Sequence, residues 1–131
     1  VIEPALQAGK WVLCDRFAAA TLAYQGYGRG IDLDLLRGLA AIATRGREPD
    51  ITLLVDVPVA VSRERVLSRA HADGTGVDRL EREDADFHAR VREGYLALAR
   101  ADRRMRVLDG TRTQAAVLQA AWDELEAKIN A

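Results

Sequence analysis

The sequence predicts an α/β fold with parallel strands between layers of helices, and three observations carry that expectation. Short apolar runs occur at Trp11–Cys14, Ile51–Val55 and Met105–Leu108, each the length of a buried strand. Amphipathic helical stretches separate them and are long enough for parallel crossovers. All three runs lead directly to an acid, Asp15, Asp56 or Asp109, and ligands in open α/β sheets collect beyond the carboxyl ends of strands.

Taken in order, Val1 to Ala8 spaces Ile2, Ala5 and Leu6 like the last turn of a helix, with Gly9 as its stop. Trp11–Cys14 then reads as a strand buried on both faces, with Cys14 a small core residue. Ala18 to Tyr24 favours a short helix, ended by a glycine-rich turn at Gly26, Gly28 and Gly30. Asp32 is placed to cap the next helix, whose stripe is Leu35, Leu36, Leu39, Ile42 and Ala43, and Gly46 and Pro49 close it. Ile51–Asp56 is the clearest strand. Pro58 suits the first turn of a following helix that carries Val61, Arg65 and Arg69.

Ala70 to Val77 has two glycines and no stripe, so a mobile loop is expected. Leu80, Phe87, Val91, Gly94, Tyr95 and Leu98 mark a long helix ending near Ala101. Met105–Leu108 is the third strand. Thr113 caps a last helix with Val117, Leu118, Ala121, Trp122, Leu125 and Ile129 as its stripe. There are no internal repeats. Three short strands form a small sheet, so the chain reads as part of something larger.

Composition narrows the chemistry. A chain of 131 residues, 49% of them hydrophobic, can build a core as one domain. The net charge of −1, from 19 basic and 20 acidic residues, gives no bulk reason to expect nucleic acid or a membrane surface as partner. No apolar run approaches the length of a membrane span. Most of the basic residues are arginine, which favours forked phosphate contacts; a GC-rich genome gives the same bias. The single cysteine suits a reducing cytoplasm.

The chemistry concentrates at Asp15-Arg16 and the turn Tyr24-Gln25-Gly26-Tyr27-Gly28-Arg29-Gly30. The carboxylate can hold hydrated magnesium and the guanidinium can fork two phosphate oxygens; a strand-end ion pair is the structural alternative. Gln25 can bond the edge of a planar base and Tyr24 can stack on it, or the turn can be a plain glycine-rich loop. Arg65 and Arg69, four apart, share a helix face beside the glycine-containing loop. Arginines so placed can close over transferring phosphates, or belong to a solvated charged helix, the reading preferred for Arg82. His71 and His88 have no metal-ligand spacing and are expected to face solvent.

Asp15-Arg16-Phe17, Ala23-Tyr-Gln-Gly26 with Arg29, Pro49-Asp50 before Thr-Leu-Leu-Val-Asp56, Arg65 with Arg69, Asp78-Arg79 with Glu81, Phe87 and Arg90-Val-Arg92 with Gly94-Tyr95 occur in one order. Jointly they resemble the bacterial thymidylate kinases, P-loop nucleoside monophosphate kinases, over essentially the whole chain. The resemblance implies a three-layer parallel sheet of the P-loop NTPase type and transfer of the ATP γ-phosphoryl group to dTMP, giving dTDP, with Mg2+. It implies catalytic roles for Asp15, Arg16 and Arg69, with Asp15 holding the metal through water. Arg16, Phe17, Thr21, Tyr24 and Gln25 would bind dTMP. Arg65, Arg69 and the loop Asp109-Gly110-Thr111 would serve ATP and a lid at about residues 65–80. Family members are typically homodimers, and the helix at 32–45 could pack in that way or face the core.

Three departures stand out. Phe17 replaces a more usual tyrosine or histidine, and Ala20 a common serine. No G-x-x-x-x-G-K-[ST] is present, and the two lysines, Lys10 and Lys128, lie in neither context. The expectation is therefore a carboxyl-terminal portion, residues 1–131, of one kinase domain, with a strand, phosphate loop and helix preceding Val1. The rival expectations are a catalytically incompetent nucleotide-binding module completed by another chain, or a related deoxynucleotide kinase.

Overall fold

The computed structural model describes residues 1–73 and 85–131, the side chains of 69–73 excepted. Among these residues the order is α1 (Ile2–Gln7), α2 (Ala18–Thr21), a π-helix (Leu22–Gly28), α3 (Leu33–Thr44), β1 (Thr52–Asp56), α4 (Val59–Asp73), α5 (Ala85–Ala101), β2 (Met105–Asp109) and α6 (Gln114–Ile129). β1 and β2 pair in parallel, with Leu54 opposite Val107 and Asp56 opposite Asp109. Two strands joined through helices α4 and α5 form a small α/β unit.

Local signals set most boundaries. The Asp32 side chain accepts the Leu35 N–H at 2.8 Å, and the Thr113 hydroxyl accepts the Ala116 N–H at 3.3 Å, so both expected caps are present. Arg45 ends α3 in the left-handed region, φ 55°. Arg47 bonds Glu3 at 2.6 Å and ties α1 to the chain after α3.

The core lies between the π-helix and α5. Ala23 is fully enclosed beside Phe87 and Val91, with Tyr24, Tyr95 and Leu98 packed around them. Met105 and Leu108 extend burial to β2. The contact is keyed by two glycines. A Cβ on Gly28 would lie 2.8 Å from Phe87, and one on Gly94 2.6 Å from Tyr27. Both positions need hydrogen because another side chain already occupies the space.

Several expectations are corrected. Trp11–Cys14 is not a strand among the described residues. Trp11 is 76% and Leu13 101% exposed, and Cys14 is exposed rather than buried in a core. A strand needs a neighbour for its N–H and C=O groups, and the described sheet contains only β1 and β2. The expected glycine turn is a π-helix: the Arg29 N–H donates to the Tyr24 carbonyl, five residues back, at 3.1 Å. Of the α3 stripe only Leu36 is buried, while Leu35, Leu39 and Ile42 face solvent. The α6 stripe divides likewise, because a two-stranded sheet is too narrow to cover it: Leu118, Trp122 and Ile129 are exposed. Residues 70–73, expected in a loop, continue α4; the rest of that loop and Leu80 lie outside the described residues. His88 is half-buried with its ring edge-on to Phe87 at 5.5 Å, not solvated.

At the amino end of the strands, Asp102 accepts the Arg104 backbone N–H at 2.9 Å and its guanidinium at 2.9 Å, and Glu48 engages the same guanidinium. The Arg104 side chain, then its N–H, holds the Asp102 carboxyl below its ordinary 3.8. A depressed carboxyl contributes stability above its unfolded value, and that contribution is lost as pH falls through the folded one. Acid unfolding followed by circular dichroism is therefore expected to show a shallower loss of stability below about pH 4 in Asp102→Asn than in wild type. Identical slopes would remove Asp102 from the acid response.

Candidate functional site

Arg16 has a φ of 66°, uncommon for a residue with a Cβ and typical of functional positions. This backbone turns its side chain over the ring of Tyr24, with Cζ 5.2 Å from the centroid, a cation–π distance. Neither Asp15 nor Arg16 makes a salt bridge among the described residues, so the strand-end ion pair is not formed there. Asp15, the residue before Arg16 in the chain, is exposed.

Tyr24 is gripped on its other sides by α5. Phe87 meets it edge-on at 6.1 Å and Tyr95 at 6.3 Å. Burial pushes the Tyr95 phenol up; Tyr24 adds to this, Arg16 opposes it and Asp15 adds slightly. Gln25 is half-buried and its carbonyl accepts the Ile31 N–H at 3.0 Å. Phe17 is the half-buried residue preceding α2, and Thr21 is exposed at the end of that helix.

The second group gathers at the carboxyl end of the sheet. Arg65 donates to the Gly110 carbonyl at 2.8 Å, so α4 meets the loop after β2. In that loop the Thr111 hydroxyl and N–H both bond Asp109, at 2.6 and 2.9 Å. These bonds, the hydroxyl first, lower the Asp109 carboxyl. Arg65, Asp109, Gly110 and Thr111 are brought together. The backbone of Arg69 belongs to α4, its side chain lies outside the described atoms, and so do Asp78, Arg79, Glu81 and Arg82.

One element joins both groups. Arg92 on α5 makes a bidentate pair with Asp56 at the end of β1, at 2.7 and 2.8 Å, and the Asp56 hydrogen bonds raise the Arg92 guanidinium. Planar fork-to-carboxylate pairing is the geometry that arginine favours. Sequence reasoning had placed Arg92 and Tyr95 in a pattern without a partner. The spacing of Phe87, Val91, Tyr95 and Leu98 on one helix face was the available signal.

Among the described residues no three His, Cys, Asp or Glu side chains converge as a metal set, and no helix is long and apolar enough to cross a membrane. Magnesium is commonly held by one or two carboxylates with waters and substrate phosphates, a donor set that Asp15 fits.

Comparison with known proteins places the chain in a family. A family model described as thymidylate kinase matches residues 1–121. The chain is similar to the thymidylate kinase of Carboxydothermus hydrogenoformans, 54% identical over 83% of this chain and 51% of the relative. It is also similar to that of Methylococcus capsulatus, 52% identical over 98% of this chain and 60% of the relative. The thymidylate kinase of Desulfovibrio desulfuricans is 47% identical over 98% and 61%. The chain spans about half to three fifths of the length of these curated relatives. The family implies a P-loop NTPase fold, with which a helix-rich chain around a small parallel sheet agrees. With the match running through the Arg16–Tyr24 contact, the α5 buttress and the Arg65 contact alike, this chain belongs to the thymidylate kinase family.

Proposed function

We propose that the protein carrying this chain is a cytoplasmic dTMP kinase that transfers the γ-phosphoryl group of ATP to dTMP, giving dTDP. The observation that carries the reading is the Arg16 guanidinium set against the Tyr24 ring at a strained backbone position, in a chain of this family. Arg16 forks the dTMP phosphate. Tyr24, Gln25, Thr21 and Phe17 surround the nucleoside, with Tyr24 as a stacking surface held by Phe87 and Tyr95. Asp15 holds the hydration shell of Mg2+. When bound, that ion neutralises charge on the transferring phosphates. Arg65, Arg69 and the Asp109–Thr111 loop attend ATP, with a lid at about residues 65–80.

We read residues 1–131 as the carboxyl-terminal part of one kinase domain. The greater length of the relatives supports a partial domain. The outward apolar face of α3 suits a homodimer. A second reading, a nucleotide-binding module completed by another chain, is favoured by one observation: these residues contain no G-x-x-x-x-G-K-[ST].

The test is a coupled ADP-release assay on the relative-length protein with dTMP, dUMP and dCMP in competition, beside calorimetry of dTMP on the 131-residue chain. Preferential dTMP turnover supports the kinase. Preference for another monophosphate selects a sibling kinase, and dTMP binding without ADP release from either protein selects the module.

A further inference from the structure

We infer that Arg90, on α5, is a positioning residue that holds Tyr24 and, through it, Arg16 in the geometry that receives the nucleotide phosphate. The inference rests on the acceptor-site reading above. Arg90 donates through Nε to the Gly28 carbonyl at 3.1 Å, the last residue of the π-helix. Its guanidinium also lies over the Phe87 ring at 5.9 Å, and Arg29 lies over the same ring at 5.1 Å. Phe87 in turn meets Tyr24 edge-on, and Tyr24 carries Arg16 on its face. One side chain thus anchors both the end of the π-helix and the ring that abuts Tyr24.

A π-helix is a rare form, seen mostly as a short turn at functional sites. Packing holds part of it in place: Gly28 and Gly94 let α5 approach closely. The side chains keyed at Ala23, Gly28 and Gly94 set which face of the π-helix meets α5. The Arg90 hydrogen bond adds a directional tie to the carbonyl at the end of that helix, on the element that carries Tyr24. Arg90 acts on a carbonyl and one ring rather than on the nucleotide, so its effect is confined to the acceptor side.

The experiment compares wild type, Arg90→Ala and Arg90→Gln, the second keeping the aliphatic stem and an amide donor in case alanine impairs folding. The Arg16 Nε–H resonance, shielded by the Tyr24 ring, is expected to move downfield in both variants, less in Arg90→Gln. In the steady state, KM for dTMP is expected to rise about five- to twelvefold, the upper range of one typical intramolecular hydrogen bond, while KM for ATP stays within twofold. A purely structural role would lower thermal stability and leave the KM for dTMP and the Arg16 resonance unchanged. An unmoved Arg16 resonance in folded Arg90→Ala or Arg90→Gln overturns the inference, as does an equal rise in both KM values. A wild-type protein that does not phosphorylate dTMP overturns the functional reading instead, and the resonance comparison still decides the role of Arg90.

Discussion

Arg16→Ala is expected to remove nearly all dTMP phosphorylation, with kcat/KM falling on the order of 10²–10³-fold, the scale seen when one preorganised donor to a developing charge is removed. The side chain has little structural duty to confuse the result. It makes no salt bridge among the described residues, and its described ring contact is with Tyr24. Such exposed cation–π contacts are worth roughly 0.5–1 kcal/mol, so thermal unfolding should shift little while turnover collapses. Arg16→Lys should fall between, because an ammonium keeps the charge and loses the planar fork. Steady-state kinetics on the relative-length protein read both variants. Turnover of Arg16→Ala near wild type would show that another cation binds the acceptor phosphate.

The second large effect concerns stability, and the same substitution should have opposite signs at two sites. In Gly94→Ala the new Cβ would meet Tyr27 Cβ and Cγ at 2.6 Å. Tyr27 Cβ is fixed next to the backbone and cannot swing aside, so α5 and the π-helix must part. Overpacking of this kind costs about 1–3 kcal/mol, against about 1 kcal/mol gained in helix propensity. A net loss of up to about 2 kcal/mol is expected in urea unfolding. In Gly38→Ala, mid-way along α3, the new Cβ meets nothing within 4 Å, so propensity acts alone and stability should rise by about 0.5–1 kcal/mol. Adding Tyr27→Ala removes the Cγ and Cδ2 contacts but keeps the Cβ one, so the pair should show a coupling energy outside simple additivity while part of the clash persists. A neutral or stabilising Gly94→Ala would mean that the helices separate freely.

The two predictions concern one assembly. Arg16 is held against a ring on the π-helix, and the π-helix is held by glycines and an arginine on α5. Loosening the helix contact should therefore blunt the acceptor site before it unfolds the protein. Modest Gly94→Ala destabilisation with a raised KM for dTMP is the expected signature.

Much of this was legible from neighbouring residues. The β1 and β2 strands and the Asp32 and Thr113 caps follow from local pattern. Caps, turns and periodicity depend on groups a few residues apart, so sequence order contains them. Trp11–Cys14 misled for the complementary reason: apolarity predicts a strand only if another strand receives it.

What the tertiary structure alone decided lies at long separation. Arg92 reaches Asp56 across 36 positions, Arg65 reaches Gly110 across 45, and Arg90 reaches Gly28 across 62. Whether Arg90 meets Gly28 depends on how closely α5 can approach the π-helix, and hence on the volumes at Gly28 and Gly94. The sequence by itself named the acid, the arginine and the ring of the candidate site. The packed fold determined that the arginine lies on that ring, because only close packing turns residues distant in the chain into neighbours.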